Sequence, residues 1–148
     1  DGASTFIFDD FINFYDGEVL SVDINQSNVN HAKSMVSSKT TIECMDSVEF
    51  LWNLPSKKKI DFLYLDSYDF DPENPIPSQL HHVKEMCAVM KNLKKGTIVV
   101  VDDHANTPEF ASYRSTLAKG GKAGFIENFM TNIKAEVLHD GYQIVWRL

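Results

Sequence analysis

The chain alternates between short β-rich runs and amphipathic segments, and this alternation limits the possible folds more than any other feature. Strand-like runs occupy residues 18–23, 40–45, 60–65 and 97–101. The last run is entirely β-branched, as expected of a strand that is buried on both faces. Such alternation is typical of a mostly parallel sheet covered by helices. The sequence therefore predicts an α/β fold, with a mostly parallel sheet and helices on both faces.

The segments between these runs predict helices at residues 4–15, 27–36, 47–54, 78–93 and 125–131. In the longest helix, apolar residues from Leu80 onward recur at steps of three and four. We expect this stripe to face the sheet, while Glu85 faces water. Trp52 and Trp146 lie in apolar patterns and are assigned to the core.

The C-terminal part of the chain carries a hairpin signal. Asp140-Gly141 lies between two apolar runs, 135–139 and 142–148. This dipeptide predicts a tight turn, so the final strand should be antiparallel to its neighbour. The length of 148 residues suits one compact domain, and residues 1–148 are interpreted as a single domain.

Charge and cysteine content argue against several classes of function. There are 14 Lys and Arg against 21 Asp and Glu, and the formal charge of −7 should repel nucleic-acid phosphates and anionic membranes. Cys44 and Cys87 have no CxxC spacing, so neither a disulfide framework nor a zinc site is indicated. No apolar run approaches the roughly 18 residues of a membrane span, and no signal-peptide pattern opens the chain. We expect a cytoplasmic protein with no nucleic-acid or membrane partner.

An acidic residue ends or directly follows each of the four strand-like runs. They are Asp23, Asp46, Asp66 and the pair Asp102-Asp103. In an open parallel sheet, ligands bind beyond the carboxyl ends of the strands. Each acid alone is also a common helix N-cap, so that alternative stays open at every position. Together, the acids predict a ligand site along one edge of the sheet.

Small residues lead directly into the first predicted helix. Gly2, Ala3, Ser4 and Thr5 would let a ligand approach the backbone N–H groups at the positive helix end, although they also suit a plain turn. Asp23 lies 21 residues after Gly2, at the end of the next strand. With this spacing, an acid can bind a ribose hydroxyl while the glycine turn holds the other end of the ligand.

These motifs resemble the class I S-adenosylmethionine-dependent methyltransferases, which have a Rossmann-like fold. Residues 2–5 are similar to the end of the family's glycine loop, 21–23 to its ribose-binding strand end, 45–47 to its adenine-contacting turn, and 61–66 to the strand that follows. The resemblance implies methyl transfer from S-adenosylmethionine to an oxygen nucleophile of a small molecule. It also implies that the cofactor contacts Gly2, Ala3, Ser4, Thr5, Asp23, Ile24, Asp46, Ser47 and Asp66.

Asp66 and the pair Asp102-Asp103 are similar to the metal-binding acids of metal-dependent small-molecule O-methyltransferases. The resemblance implies that these acids hold Mg²⁺, a cation that prefers oxygen ligands and would lower the pKa of a substrate hydroxyl beside it. The alternative is that Asp103 caps the next segment and Asp102 pairs with a lysine. His104 is a candidate general base, with Asp66 as the second candidate catalytic residue. A plain loop histidine is the alternative for His104.

Two other classes of function stay open. One is a non-catalytic cofactor-binding or regulatory module, and the other is a nucleotide- or sugar-modifying enzyme on the same fold. The family's first strand would precede Gly2, so we interpret the domain as N-terminally incomplete. Without that strand, the strands that end at Asp23 and Asp66 would each lose a neighbour. A homodimer is a further open alternative.

Overall fold

The computed structural model describes residues 3–104 and 120–148. These residues form two compact units, one up to Phe50 and the other from Leu51 onward. Helix α3 (Ser47–Asn53) contains the boundary between them. The predicted contact residue Gly2 lies outside the described residues.

The first unit pairs two parallel strands with two helices. Besides the start of α3, these elements are α1 (Ala3–Asn13), β1 (Val19–Asp23), α2 (Gln26–Lys33) and β2 (Thr40–Cys44). The register aligns Val19 with Thr40 and Asp23 with Cys44. Val29 and Ala32 of α2 pack with Ile42 of β2 in a small apolar core. The side chain of Asn25 accepts hydrogen bonds from two backbone N–H groups of α2, which fixes the start of that helix.

Polar contacts also fix α1 within the first unit. The buried Asp9 carboxylate accepts hydrogen bonds from the Thr40 hydroxyl at 2.6 Å and from the hydroxyl and backbone N–H of Ser37 at 2.7 and 3.0 Å. At the other end of α1, Lys39 donates to the carbonyl oxygens of Ile12 and Tyr15. A lysine in this position satisfies carbonyl groups that a helix end leaves without partners.

The second unit contains a four-stranded mixed sheet. Its elements are β3 (Phe62–Leu65), α4 (Ile76–Val89), β4 (Ile98–Val101), α5 (Ile126–Asn132), β5 (Glu136–Asp140) and β6 (Ile144–Arg147), with short 3-10 helices at Met90–Asn92 and Gly121–Ala123. The strand order is β3-β4-β6-β5. β3 and β4 are parallel, whereas β6 is antiparallel to both of its neighbours.

These strands confirm the predicted α/β class, the parallel pairs and the closing antiparallel hairpin. The turn itself differs from the prediction. Asp140 pairs with Ile144, so β5 continues through Asp140 and the connection consists of residues 141–143. Gly141 therefore lies in the connection and Asp140 in the strand, and an irregularity between Val137 and His139 shifts the register of the hairpin by one residue.

The buried face of α4 differs from the predicted stripe. Leu80 is 46% exposed, while Glu85 is 1% exposed. The Ser67 hydroxyl donates a hydrogen bond to the buried Glu85 at 2.6 Å, and the ring nitrogens of His81 and His82 lie 3.6 and 3.9 Å from its carboxylate oxygens. Trp146 is buried as predicted, but Trp52 is 65% exposed, so its assignment to the core was wrong. No helix among the described residues is both long and apolar enough to cross a membrane.

Candidate functional site

Two of the predicted acids lie at the same edge of the first unit. Asp23 ends β1, and Asp46 follows β2, its parallel neighbour. The backbone N–H of Met45 donates to the carbonyl oxygen of Asp23 at 3.2 Å, so the two strand ends run side by side up to this point. The first unit therefore brings Asp23 and Asp46 to one edge, as the sequence predicts.

Asp23 is the last residue of β1, and its side chain contacts residues at the start of α2. One carboxylate oxygen accepts from the backbone N–H of Asn25 at 2.7 Å, and the other from the Asn28 side-chain amide at 3.0 Å. An ionised carboxylate offers about four acceptor positions, so these two hydrogen bonds orient Asp23 and leave capacity for further donors. This is the chemistry needed to bind a pair of vicinal hydroxyls.

The residues beside the two acids complete this edge. Ile24 follows Asp23 directly and is 76% exposed, which offers an apolar surface to a flat ring. Asp46 accepts from the backbone N–H of Glu49 at 3.1 Å and caps α3, which begins at Ser47. Asp46 therefore has the N-cap role that sequence reasoning had left open.

The start of α1 contains the other residues of the first unit that are predicted to contact the cofactor. Ala3 and Ser4 lie in the first turn. Thr5 is buried, and its hydroxyl shares a 2.8 Å hydrogen bond with the hydroxyl of Ser21 in β1. Its side chain holds the helix to the strand, so a cofactor contact at Thr5 would have to use the backbone.

In the second unit, Asp66 and Asp103 converge on a lysine. Lys122 is 3% exposed, and its ammonium group lies 2.7 Å from Asp66 Oδ1 and 2.9 Å from Asp103 Oδ2. The backbone N–H of Lys122 also donates to the carbonyl oxygen of Asp103 at 3.1 Å. The sequence alternative placed a lysine pair at Asp102, whereas Lys122 pairs with Asp66 and Asp103.

Asp102 has different partners. Its carboxylate accepts from the Tyr64 hydroxyl at 2.6 Å and from the Gln143 side chain at 3.1 Å. Asp103 has a φ of +45°, in the left-handed region that Asp tolerates better than most residues. Its second carboxylate oxygen accepts from the Tyr142 hydroxyl. Adjacent in sequence, Asp102 and Asp103 thus bind separate sets of donors.

The surroundings push the pKa values of these groups in different directions. Burial raises the pKa of Asp66 and outweighs the opposing effect of Lys122. Burial acts the same way on Asp103, but hydrogen bonds from Tyr142 and Lys122 prevail and lower its pKa. Burial alone would lower the pKa of Lys122, and its hydrogen bonds to both acids reverse this effect and raise it. The hydrogen bond to Asp103 raises the pKa of Tyr142 to about 12. Asp103 and Lys122 are therefore the firmly charged pair, and Asp66 takes up a proton more readily.

His104 is buried, and both of its ring nitrogens contact acceptors. Nε2 lies 3.0 Å from Asp140 Oδ1, while Nδ1 lies 3.0 Å from the carbonyl oxygen of Gly120 and 3.3 Å from Glu127 Oε1. To accept a proton from a substrate, the ring would have to give up one of these contacts. A general-base role for His104 stays a prediction.

The three predicted metal ligands do not fit a divalent cation as they are arranged. In residues 3–104 and 120–148, no group of three or more His, Cys, Asp or Glu side chains could hold a metal ion. Asp66, Asp102 and Asp103 instead accept hydrogen bonds from protein donors, and Lys122 supplies the positive charge between two of them. Magnesium binding by these acids was an expectation from the sequence, and this arrangement of partners argues against it.

Sequence reasoning missed four residues that surround these acids: Tyr64, Lys122, Tyr142 and Gln143. Lys122 lies 56 positions from Asp66, and the contact leaves no local pattern in the sequence. The only signal near it is Gly120-Gly121, and both glycines have positive φ. A Cβ added at position 121 would lie 1.8 Å from the carbonyl oxygen of Asp103, so only glycine allows the two backbone segments to approach this closely.

Comparison with known proteins identifies related folds. No protein-family model and no curated sequence matches the chain. Similar solved structures include CalS11, a TDP-rhamnose 3'-O-methyltransferase of calicheamicin biosynthesis, with a TM-score of 0.61, 14% identity and coverage of 97% of this chain and 65% of that one. The MycE methyltransferase of the mycinamycin pathway, in complex with Mg and S-adenosylhomocysteine, gives a TM-score of 0.57 at 13% identity, covering 95% of this chain and 47% of that one. A protein described as a pericyclic reaction enzyme gives a TM-score of 0.61 at 10% identity, with coverage of 99% of this chain and 40% of that one.

These similarities establish the fold. The chain has the Rossmann-like α/β fold found in O-methyltransferases, as the sequence motifs predict. It spans less than two thirds of the length of each of the three structures. One fold hosts several chemistries, so the reaction has to be argued from the residues.

Proposed function

We propose that this protein is an S-adenosylmethionine-dependent methyltransferase that transfers a methyl group to an oxygen of a small molecule. The observation that carries the proposal is the edge of the first unit, where Asp23, Ile24 and Asp46 lie at the ends of two parallel strands. The S-adenosylhomocysteine in the MycE complex, which has the same fold, supports the choice of cofactor.

Each residue at this edge has a chemical role toward the cofactor. Asp23, already oriented by Asn25 and Asn28, accepts hydrogen bonds from the ribose hydroxyls. The exposed Ile24 covers one face of the adenine, and Asp46 with Ser47 contacts its edge. The first turn of α1, from Ala3, faces the amino-acid end, where backbone N–H groups attract a carboxylate.

Methyl transfer requires mainly that the acceptor oxygen, the methyl carbon and the sulfur lie in line, and that the acceptor loses one proton. When bound, the cofactor supplies an electrophilic methyl group on a sulfonium, and holding the reactants in line contributes several kcal/mol. Asp66 is the candidate to take the proton of the acceptor hydroxyl. Burial raises its pKa, and its side chain is still 39% exposed. A carboxylate with a raised pKa is a better base than an ordinary one.

Calorimetric titration with S-adenosylhomocysteine tests the cofactor assignment. We expect the wild-type chain to bind it and Asp23→Asn to bind about 10- to 100-fold more weakly, because a hydrogen bond to a charged group contributes roughly 1.5–3 kcal/mol. Asp10→Asn is the matched control, since Asp10 is exposed on α1 in the same unit. Equal affinities for wild type and Asp23→Asn would contradict the assignment.

A non-catalytic cofactor-binding module is the second candidate. The observation that favours it is that His104 and the three acids of the second unit all have protein partners. Such a module would bind S-adenosylhomocysteine with the affinity pattern above and yet show no methyl transfer to any hydroxylated acceptor. Turnover that is lost in Asp66→Asn with unchanged cofactor affinity would favour the enzyme.

A further inference from the structure

The acid cluster of the second unit already contains a cation. The Lys122 ammonium lies within 3 Å of a carboxylate oxygen of both Asp66 and Asp103. Two close carboxylates without a counter-ion repel each other, which is the usual physical reason for such a pair to recruit a metal. Here the ammonium neutralises one of the two charges.

The backbone around Lys122 fixes this arrangement. Lys122 lies in the 3-10 helix Gly121–Ala123, and its backbone N–H donates to the carbonyl oxygen of Asp103. Gly121 allows the two segments to approach closely, because any Cβ there would overlap the Asp103 backbone. With its side chain 3% exposed, Lys122 is held at the cluster and differs from a surface lysine that exchanges partners freely.

The remaining acid of the cluster is stabilised without a cation. Asp102 accepts hydrogen bonds from the Tyr64 hydroxyl, the Gln143 amide and the backbone N–H of Asp103. Several donors of this kind stabilise an ionised carboxylate. The cluster as a whole therefore does not depend on an added divalent ion.

We propose that Lys122 is the resident counter-ion of this acid cluster and that its ammonium group stands where a divalent metal would have to bind, so the cluster is metal-independent. The proposal is independent of whether the chain transfers methyl groups. It predicts that a metal can bind the two acids only after the ammonium is removed.

The first test uses the wild-type chain. Thermal unfolding is followed in about 10 mM MgCl₂ and in EDTA at matched ionic strength, because a ligand that binds only the folded state raises the midpoint. We expect the two midpoints to agree within about 1 °C. Calorimetric titration with MgCl₂ alone should show no saturable binding. Saturable binding together with a higher midpoint in MgCl₂ would overturn the proposal.

The second test removes the ammonium. Lys122→Met keeps most of the side-chain volume, and we expect its midpoint to fall by roughly 5–10 °C, because the substitution leaves two partly buried carboxylates without a counter-ion. MgCl₂ should then raise the midpoint of this variant by several degrees. The control is Lys94→Met, which makes the same change in the exposed ion pair of Lys94 with Asp61. Its unfolding midpoint should stay close to that of wild type and should not rise in MgCl₂.

Two results of the second test would contradict the proposal. One is a Lys122→Met variant as stable as wild type, since the ammonium would then not be needed as a counter-ion. The other is a wild-type chain that gains more stability from MgCl₂ than the variant does. Neither readout involves S-adenosylhomocysteine, so failure here is distinguishable from failure of the proposed function.

Discussion

Asp9 and Asp23 are both carboxylates of the first unit, but their partners give them different roles. Asp9 is buried and accepts hydrogen bonds from Ser37 and Thr40, which ties α1 to the start of β2 and the segment before it. Asp23 lies at the edge, with two local donors and remaining capacity for a ligand. At the scale of single residues, the number of internal donors separates a structural acid from a candidate binding acid.

The role of Asp9 predicts a loss of stability in acid. The Thr40 hydroxyl, together with Ser37, holds the pKa of Asp9 below its usual value in spite of burial. Because the folded pKa is lowered, its contribution is present above the unfolded pKa of about 3.9 and is lost as pH falls through the folded pKa. Unfolding midpoints from pH 7 downward should therefore drop more steeply below about pH 4 in wild type than in Asp9→Asn. Asp10→Asn, which alters an exposed neighbour, should follow wild type, and an Asp9→Asn curve parallel to wild type would contradict this account.

Gly121 predicts a large effect of a single methyl group. A Cβ at this position would lie 1.8 Å from the Asp103 carbonyl oxygen, and its φ of +51° is unfavourable for other residues. We expect Gly121→Ala to lower the free energy of unfolding by about 2–4 kcal/mol in urea denaturation. Gly96→Ala serves as the control, because Gly96 also has a positive φ but has no atom within 4 Å of its Cβ position. The account would be wrong if the two variants lost the same stability.

At the scale of elements, strands were easier to predict than the packing of helices. β4 is a continuous β-branched run, and its three residues Val99 to Val101 are all buried, as that pattern indicates. In α4 the periodicity identified a helix, but only part of the predicted stripe is buried: Met86 is 4% exposed, whereas Leu80 is 46% exposed. Ser67 supplies a hydrogen bond to Glu85 from a distant segment, so the polar side of the helix can be buried. No apolar pattern within α4 contains that information.

His104 connects three segments of the second unit, and this predicts how its removal should act. Its ring contacts Gly120, Glu127 and Asp140, the last residue of β5. We expect His104→Ala to lower the free energy of unfolding by about 1–2 kcal/mol, since the substitution removes the buried imidazole together with its hydrogen bonds. His139→Ala, at an exposed histidine of β5, should change stability little. An unchanged midpoint in His104→Ala, combined with a loss of methyl transfer, would instead favour the general-base role.

At the scale of the whole molecule, the sequence predicted the α/β class, the order of the elements and the position of acids at strand ends. These features depend on local periodicity and on residues that directly follow strands. The ion pair of Lys122 with Asp66 and Asp103 could not be predicted, because it joins segments far apart in the chain and depends on the backbone of Gly121. The interpretation of residues 1–148 as a single domain stays a prediction, since the described residues form two compact units.

The central claim is that the strand ends of the first unit bind the adenosyl part of the cofactor. The most direct measurement is a titration of isotope-labelled protein with S-adenosylhomocysteine, followed through the backbone amide signals by NMR. We predict that the largest chemical-shift changes fall at residues 23–25 and 45–48, and that Asp23→Asn reduces them at the same ligand concentration. Saturable binding whose shift changes avoid both segments, or the absence of any shift change, would contradict the claim.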